Sequence, residues 1–426
     1  MIQLFRYAIG VLVLSSCTLG NLSAQNSQVF SDEVFADYIR SVKFHVEGIP
    51  LSAPLIDLNS NTRLVLTFDD LQGDGKDYKY SIHHCNADWT PSNLAEMEYL
   101  VSFQEEYIND YEFSFNTRTN FTNYLLALPN RDIGWTKSGN YILKVFDVTD
   151  DRFLVFTRRF MVVETGFKVM GRVINPRDVS LTQTHQEIDF FVGHKGIDIR
   201  NPQTEVYASV LQNGRWDNAI IGLPPRFSRG EELNFDYQNR VVFPAGKEFR
   251  FLDIRTLNSK AEKIERIDRL VTHFEVRVRP EPDRETAPYL FEQDINGKFV
   301  IQTFDAQDQD LAADYADVFF QLKSSVNFSD HDVYIIGGFT DWLPMPWAKM
   351  AYNPAVSGYV GKVRMKQGFY NYAYGLVPSN GGPVDYAEFE GNWYETENDY
   401  LILAYYRPFG ERYDRLMGAA VINSND

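Results

Sequence analysis

The sequence predicts an all-β protein built from tandem immunoglobulin-like or early-set β-sandwich domains, with short helices at their corners. Three observations carry that expectation. Short segments alternate apolar or aromatic with polar residues, the two-residue period of half-buried antiparallel strands. Aromatic side chains, which favour a pleated surface, are abundant: 25 Tyr and 32 Phe. Turn signals rich in Gly, Asn and Asp separate the segments.

The chain opens with a short n-region carrying Arg6, followed by an apolar run over 7–14 that is too short to span a bilayer. Two processing sites are open. Leu22-Ser23-Ala24 before Gln25 fits an ordinary signal peptidase, which makes 1–24 a signal peptide. Leu14-Ser15-Ser16-Cys17 fits a lipobox that would leave Cys17 lipidated. Either route takes the chain out of the cytoplasm. No later stretch reaches the ~18 apolar residues of a transmembrane helix. Of the 2 cysteines, Cys85 is the one outside the leader, so no internal disulfide is expected and packed cores must supply the stability.

Strand patterns follow at 78–83, 141–146, 187–192, 205–210, 274–278 and 333–336. Turn signals lie at 72–75, 138–140 and 212–214. Helical periodicity is weak, best over 92–101 and next over 312–316. Phe160-Met-Val-Val163 reads as a closing strand before Thr165-Gly166. Arg279-Pro-Glu-Pro-Asp-Arg284 reads as a linker. The division is therefore an N-terminal sandwich over 25–165, a second over 166–280, a linker and extended segment over 281–312, and a C-terminal early-set-like sandwich over 313–426. Each sandwich has an ordinary size for its class.

With 41 Lys+Arg against 58 Asp+Glu, the formal net charge is −17. That balance disfavours nucleic acid and anionic membrane surfaces, both of which need clustered cations.

Candidate chemistry is sparse. His83-His84-Cys85 with Asp88 invites a metal site, but the strand period puts His84 on the opposite face from His83 and Cys85. No C-x-x-C or H-x-x-x-H pair joins them. Packing and turn formation are the better reading. Asp70, Gln72, Asp74 and Gly75 match the opening of a calcium loop, yet Ser81 falls where a bidentate Glu is needed. There is no G-x-S-x-G elbow and no phosphate-binding G-x-x-x-x-G-K-[ST] loop. The expectation is a non-enzymatic protein with no catalytic residues, no metal and no cofactor. The six tryptophans, Trp89, Trp135, Trp216, Trp342, Trp347 and Trp393, either fill cores or stack on sugar rings, and core filling is the usual fate.

One string is peculiar: His84-Cys85-Asn86-Ala87-Asp88-Trp89, then Pro91-Ser92 and Leu94. Phe68-Asp-Asp-Leu71 precedes it. Ser114-Phe-Asn-Thr117, Leu128-Pro-Asn130, Ser138-Gly-Asn-Tyr141, Arg158-Arg-Phe160 and His185-Gln-Glu187 follow it. Further on stand Asn201-Pro202, Gln212-Asn-Gly-Arg-Trp-Asp-Asn218, Asn392-Trp-Tyr-Glu-Thr-Glu-Asn398 and Tyr405-Tyr-Arg-Pro-Phe-Gly-Glu-Arg-Tyr-Asp414. Together they resemble the plug proteins of the bacterial type IX secretion system, with His84, Cys85, Asn86, Asp88 and Trp89 as a structural signature. Lys247 departs from the pattern, where an Asn is expected, and should affect a turn. The resemblance implies a periplasmic plug, bound one-to-one to the inner side of a very large outer-membrane β-barrel translocon and sealing its periplasmic opening. Such a role needs a rigid body and a fitting surface, with no small-molecule substrate. Loops around Trp135, Arg215-Trp216 and Arg226-Phe227 are candidate contacts, although Trp216 is expected to pack inward.

The last unit also resembles glycogen-binding early-set domains, through Asp332-Val-Tyr-Ile-Ile-Gly-Gly-Phe-Thr-Asp-Trp342 and Gln367-Gly-Phe-Tyr-Asn-Tyr-Ala-Tyr374. Trp342 matches a fold element there, and no sugar-stacking pair is evident. The alternative function is thus an exported carbohydrate-binding sandwich protein. A small outer-membrane barrel is a third reading, disfavoured by the Pro-rich stretch at 280–288 and the polar tail at 422–426.

Overall fold

The structure, a computed structural model, describes residues 29–101, 104–149 and 152–426. Strands dominate it, and the α-helices among these residues are single turns at Glu96–Tyr99, Pro202–Glu205 and Ala387–Glu390. The fold is all-β, as the alternating patterns require.

The N-terminal sandwich packs two sheets. One runs Glu33–Val34, Phe153–Val163, Gly139–Asp147, Tyr78–Cys85 and Glu105–Ile108, with Leu55–Asp57 alongside Phe153–Val163. The other runs Ile39–Val46, Leu64–Asp70, Thr122–Leu128 and Asp110–Phe113. Alternation along each strand sends aromatics between the sheets. Phe68 stacks on Tyr124 at 4.9 Å and Tyr141 on Phe160 at 5.1 Å.

The middle sandwich is not contiguous in sequence. Lys168–Ile174, His185–Gly193, Glu232–Asn234 and Phe227–Arg229 form one sheet, with Val242–Pro244 on His185–Gly193. The facing sheet takes Ile220–Leu223 and Val206–Gln212, then two strands from the far end of the chain, Asp399–Tyr406 and Arg415–Asn423. Val206 to Gln212 pair antiparallel with Tyr406 to Tyr400. Their inner faces share one core, in which Val206, Val210, Tyr400 and Ile402 meet Phe190 and Phe235.

The third sandwich fills the interval. Its ten-stranded sheet contains a continuous path that begins at Arg250–Asp253, passes through Gly368–Pro378, His331–Ile336, Lys349–Asn353, Gly358–Lys366 and Tyr315–Lys323, and ends at Phe274–Val278 and Ile264–Arg269. Leu252 and Ile264, from opposite ends of that path, lie in the same core, so the sheet curls onto itself.

Three boundaries read from the sequence therefore move. The 166–280 unit loses its strands from Arg250 onward to the third sandwich. The C-terminal unit drawn at 313–426 gives up its last two strands to the middle one. The linker at 281–312 is part of the third fold: Glu281 and Pro282 pair in parallel with Leu322 and Lys323. Composition marks the Pro-rich segment as a linker, but buried Arg250 recruits it. The Arg250 guanidinium bonds Pro282 O at 2.9 Å, sits 3.7 Å from Glu281 and bonds Glu390 at 2.9 Å. The 312–316 window is likewise no helix. Tyr315–Lys323 is a strand whose Ala316, Val318, Phe320 and Leu322 face the core.

Candidate functional site

The signature residues lie where the strand Tyr78–Cys85 ends and turns toward the middle sandwich. His84 is buried against Tyr99, Tyr141 and Tyr413. Its Nε2 bonds the Ser138 carbonyl at 3.0 Å, so this nitrogen carries the proton of the neutral ring. Burial pulls the ring down to about 4. Gly139 makes this approach possible, because a Cβ there would lie 2.5 Å from His84 Nε2, and its φ of +136° already disfavours a side chain.

The turn is held from both sandwiches. Asn140 Nδ2 donates to the carbonyls of Asn86 and Ala87, while its Oδ1 accepts from Tyr405 OH at 2.9 Å. Ala87 N donates to Asp414 at 2.9 Å, and Asp414 also takes the Tyr207 hydroxyl. Arg407 reaches Asn86 Oδ1 at 2.7 Å. Asp88 accepts from Thr90 N and Oγ1, closing the turn as an Asx-type cap. Trp89, at a φ of +66°, stands edge-on to Trp216 at 4.9 Å, with the Arg159 guanidinium 4.5 Å over its ring. Cys85 is a buried thiol, and burial pushes it up to about 12. It packs in an apolar cluster that combines Ile142 and Met161 with Leu211, Leu403 and Leu416. The signature is thus a weld between two sandwiches.

Several of the remaining peculiar strings fall at two other joints. Where the chain crosses between middle and third sandwiches, Asn398 Nδ2 donates to Ala245 O at 2.9 Å and to Gln186 Oε1 at 3.2 Å. Its Oδ1 accepts from Asn213 at 2.8 Å. Gln186 Nε2 in turn donates to the Tyr394 and Thr396 carbonyls, and Asn392 accepts from Gly246 N. Between N-terminal and third sandwiches, Asp69 is fully buried. It accepts from Tyr315 OH at 2.6 Å and Lys366 Nζ at 2.7 Å across the joint, and from Asn123 at 2.8 Å on its own side. Lys247 does more than shape a turn. Its ammonium donates to the Arg284 and Ala287 carbonyls, tying down the Pro-rich segment.

These placements bear on each candidate ligand. Asp70 accepts from Tyr78 OH and pairs with Lys76, so the calcium-like loop spends its first ligand on the core. His83 bonds Ser81 and Gln104, away from Cys85. Among the described residues no group of three or more His, Cys, Asp or Glu is arranged to hold a metal ion. None of the six tryptophans is among the exposed apolar side chains. Trp342 carries Arg215 at 4.3 Å on its ring and lies so close to Gly297 that a Cβ there would collide at 2.2 Å. It serves the third sandwich's packing and offers no sugar platform.

Of the loops proposed as contacts, Trp135 and Arg215 are buried and Trp216 packs on Trp89. Phe227 is exposed, beside Arg226. Sequence reasoning missed the aromatic edge of the N-terminal sandwich. Among the described residues Asp110–Phe113 is exposed at every position and pairs on one side alone, presenting Tyr111 and Phe113, with Tyr107 and Phe115 flanking. The alternation there was visible, but which flank stays open depends on sheet order. The Cys17 and Ala24 processing sites lie outside the described residues.

Comparison with known proteins meets this architecture at the first sandwich. The model of the type 9 secretion system plug protein first domain matches residues 39–164, which is most of the N-terminal sandwich. A crystal structure of a hypothetical protein from Parabacteroides merdae ATCC 43184 superposes with a TM-score of 0.88 at 34% identity, covering 93% of this chain and 100% of that one. No curated protein matches the chain. The chain belongs to the type IX secretion system plug protein family, and its role lies in type IX secretion.

Proposed function

We propose that this protein is a non-enzymatic periplasmic plug, which binds one-to-one to the large outer-membrane translocon of the type IX system and seals its periplasmic opening. The observation that supports this reading is the three-way welding of the sandwiches. Each pair shares buried polar or apolar contacts, so the chain forms one stiff body. A stopper for a wide pore must keep its shape under load, and a body whose modules swing on linkers would leak. Residues that a catalytic site would use, His84, Cys85 and Asp414 among them, are spent on the welds. Reversible sealing suits a moderate interface with aromatic anchors and a polar rim, and the exposed aromatic edge at 107–115 supplies candidates.

The test is an affinity pull-down from detergent-solubilised outer membranes with a tagged chain. Recovery of one very large β-barrel protein at near one-to-one is the expected result, and loss of the gene should sensitise cells to large antibiotics. Failure to recover any membrane partner in mild salt would overturn the reading.

A further inference from the structure

All three sandwiches also meet around a cavity of about 200 Å³. Lys43, Arg158 and Arg159 come to its wall from the N-terminal sandwich, Asn213 and Trp216 from the middle one, and Lys298 and Asp341 from the third. Each arginine has a carboxylate nearby. Arg158 lies 3.1 Å from Asp341, and the Arg159 segment holds Asp32, which also lines the cavity, through a 2.7 Å bond from its backbone N–H. The two lysines have carboxylates at longer range alone, Asp341 for Lys43 and Asp399 with Glu397 for Lys298. Lys43 Nζ bonds the Phe299 carbonyl at 2.8 Å, and Lys298 Nζ bonds the Leu51 carbonyl at 2.9 Å. Both carbonyls belong to lining residues, which places both ammonium groups at the wall. Among the described residues neither ammonium forms an ion pair. Each has three donors, and one hydrogen bond apiece leaves donors to offer. Burial and the charge of Lys298 pull Lys43 down to about 7. Four basic side chains against two carboxylates on the wall is a local inversion of sign in a protein of net charge −17.

We infer that this three-way junction is a binding site for a small dianionic oxyanion of the phosphate class, held by Lys43 and Lys298. The anion's negative charge would offset the wall's excess of basic groups and hold Lys43 in its charged form, and tetrahedral oxygens would accept the spare donors of both ammonium groups. The cavity volume accommodates one such ion with ordered water. Because the two lysines come from different sandwiches, a bound anion would pin the N-terminal sandwich to the third and stabilise the folded state by mass action.

The experiment is thermal unfolding of the processed chain in millimolar phosphate, sulfate or chloride at equal ionic strength, joined to a phosphorus NMR titration. Phosphate is expected to raise Tm by about 3 °C over chloride near saturation. The rise should fall by half or more in K43Q and in K298Q and vanish in the double variant. Loss of mutual repulsion should leave the anion-free melting point of those variants no lower. The phosphorus resonance of free phosphate should broaden with wild-type protein. An equal rise in chloride, an equal rise in the double variant, or no broadening at concentrations that shift Tm would each overturn the site.

Discussion

His84 shows how one buried side chain can tie stability to pH. The ring donates from Nε2 to Ser138 O and is walled by three tyrosines. Among the described residues its Nδ1 has no partner, so a second proton would find no acceptor. Folding therefore lowers the ring from 6.5 to about 4. Between those values the unfolded chain binds the proton and the folded chain does not. The contribution of His84 is thus fully present above about pH 6.5 and is lost as pH falls toward 4. It is worth about 3 kcal/mol at its fullest by linkage. Proton NMR of the imidazole should show His84 neutral down to about pH 4. A ring titrating near 6.5 would mean that the weld is open to water. The peculiarity of the His84 to Trp89 string was legible as residue types suited to turns and core anchors. What it anchors to was not, because Ser138, Asn140, Tyr405 and Asp414 approach from elements up to several hundred positions away in the chain.

Among the elements, Asp399–Tyr406 and Arg415–Asn423 decide the architecture, since they complete the middle sandwich from the end of the chain. A chain ending at 398 is expected to lose the middle sandwich and keep the strands of the third. Hydrogen exchange should show Val206–Gln212 unprotected while Tyr315–Lys323 and Gly368–Pro378 stay protected. The same truncation removes Leu401, Leu403 and Leu416 from the cluster that covers Cys85. A thiol reagent that leaves the intact protein unmodified should then label Cys85. Loss of protection in the third sandwich instead would refute the discontinuous division. Individual strands were readable, because alternation is local: Phe274–Val278 falls where the pattern puts it, and Tyr78–Cys85 extends its pattern by two residues. Domain limits were not. A strand's partner is chosen by complementary faces, and nothing in Tyr400-Leu-Ile-Leu-Ala-Tyr405 distinguishes a partner nearby from one at 206–212. Arg279 to Arg284 misled for a related reason. Pro and charge signal a linker until a buried arginine elsewhere demands the carboxylate of Glu281.

For the whole molecule, the welds predict how it comes apart. Multidomain chains ordinarily unfold in separate steps, because the contacts between domains are weak beside those within them. Here each sandwich contributes buried groups to both of the others, so opening any joint leaves polar groups or a charge without a partner. Asp69 is the sharpest case. With Asp69 and Lys366 both buried across the joint at 2.7 Å, either one alone is an uncompensated group in the interior. Calorimetry of the intact chain is expected to give one transition, with calorimetric and van't Hoff enthalpies in agreement. Asp69→Asn should cost about 3 kcal/mol, in the range for breaking a buried ion pair. It should also split the endotherm, freeing the N-terminal sandwich to melt apart from the other two. Adding Lys366→Met should recover part of the loss, because it removes the stranded ammonium. Three resolved transitions in the unmodified protein would show modules joined loosely, and a body that flexes at its joints would be a poor stopper for a wide pore.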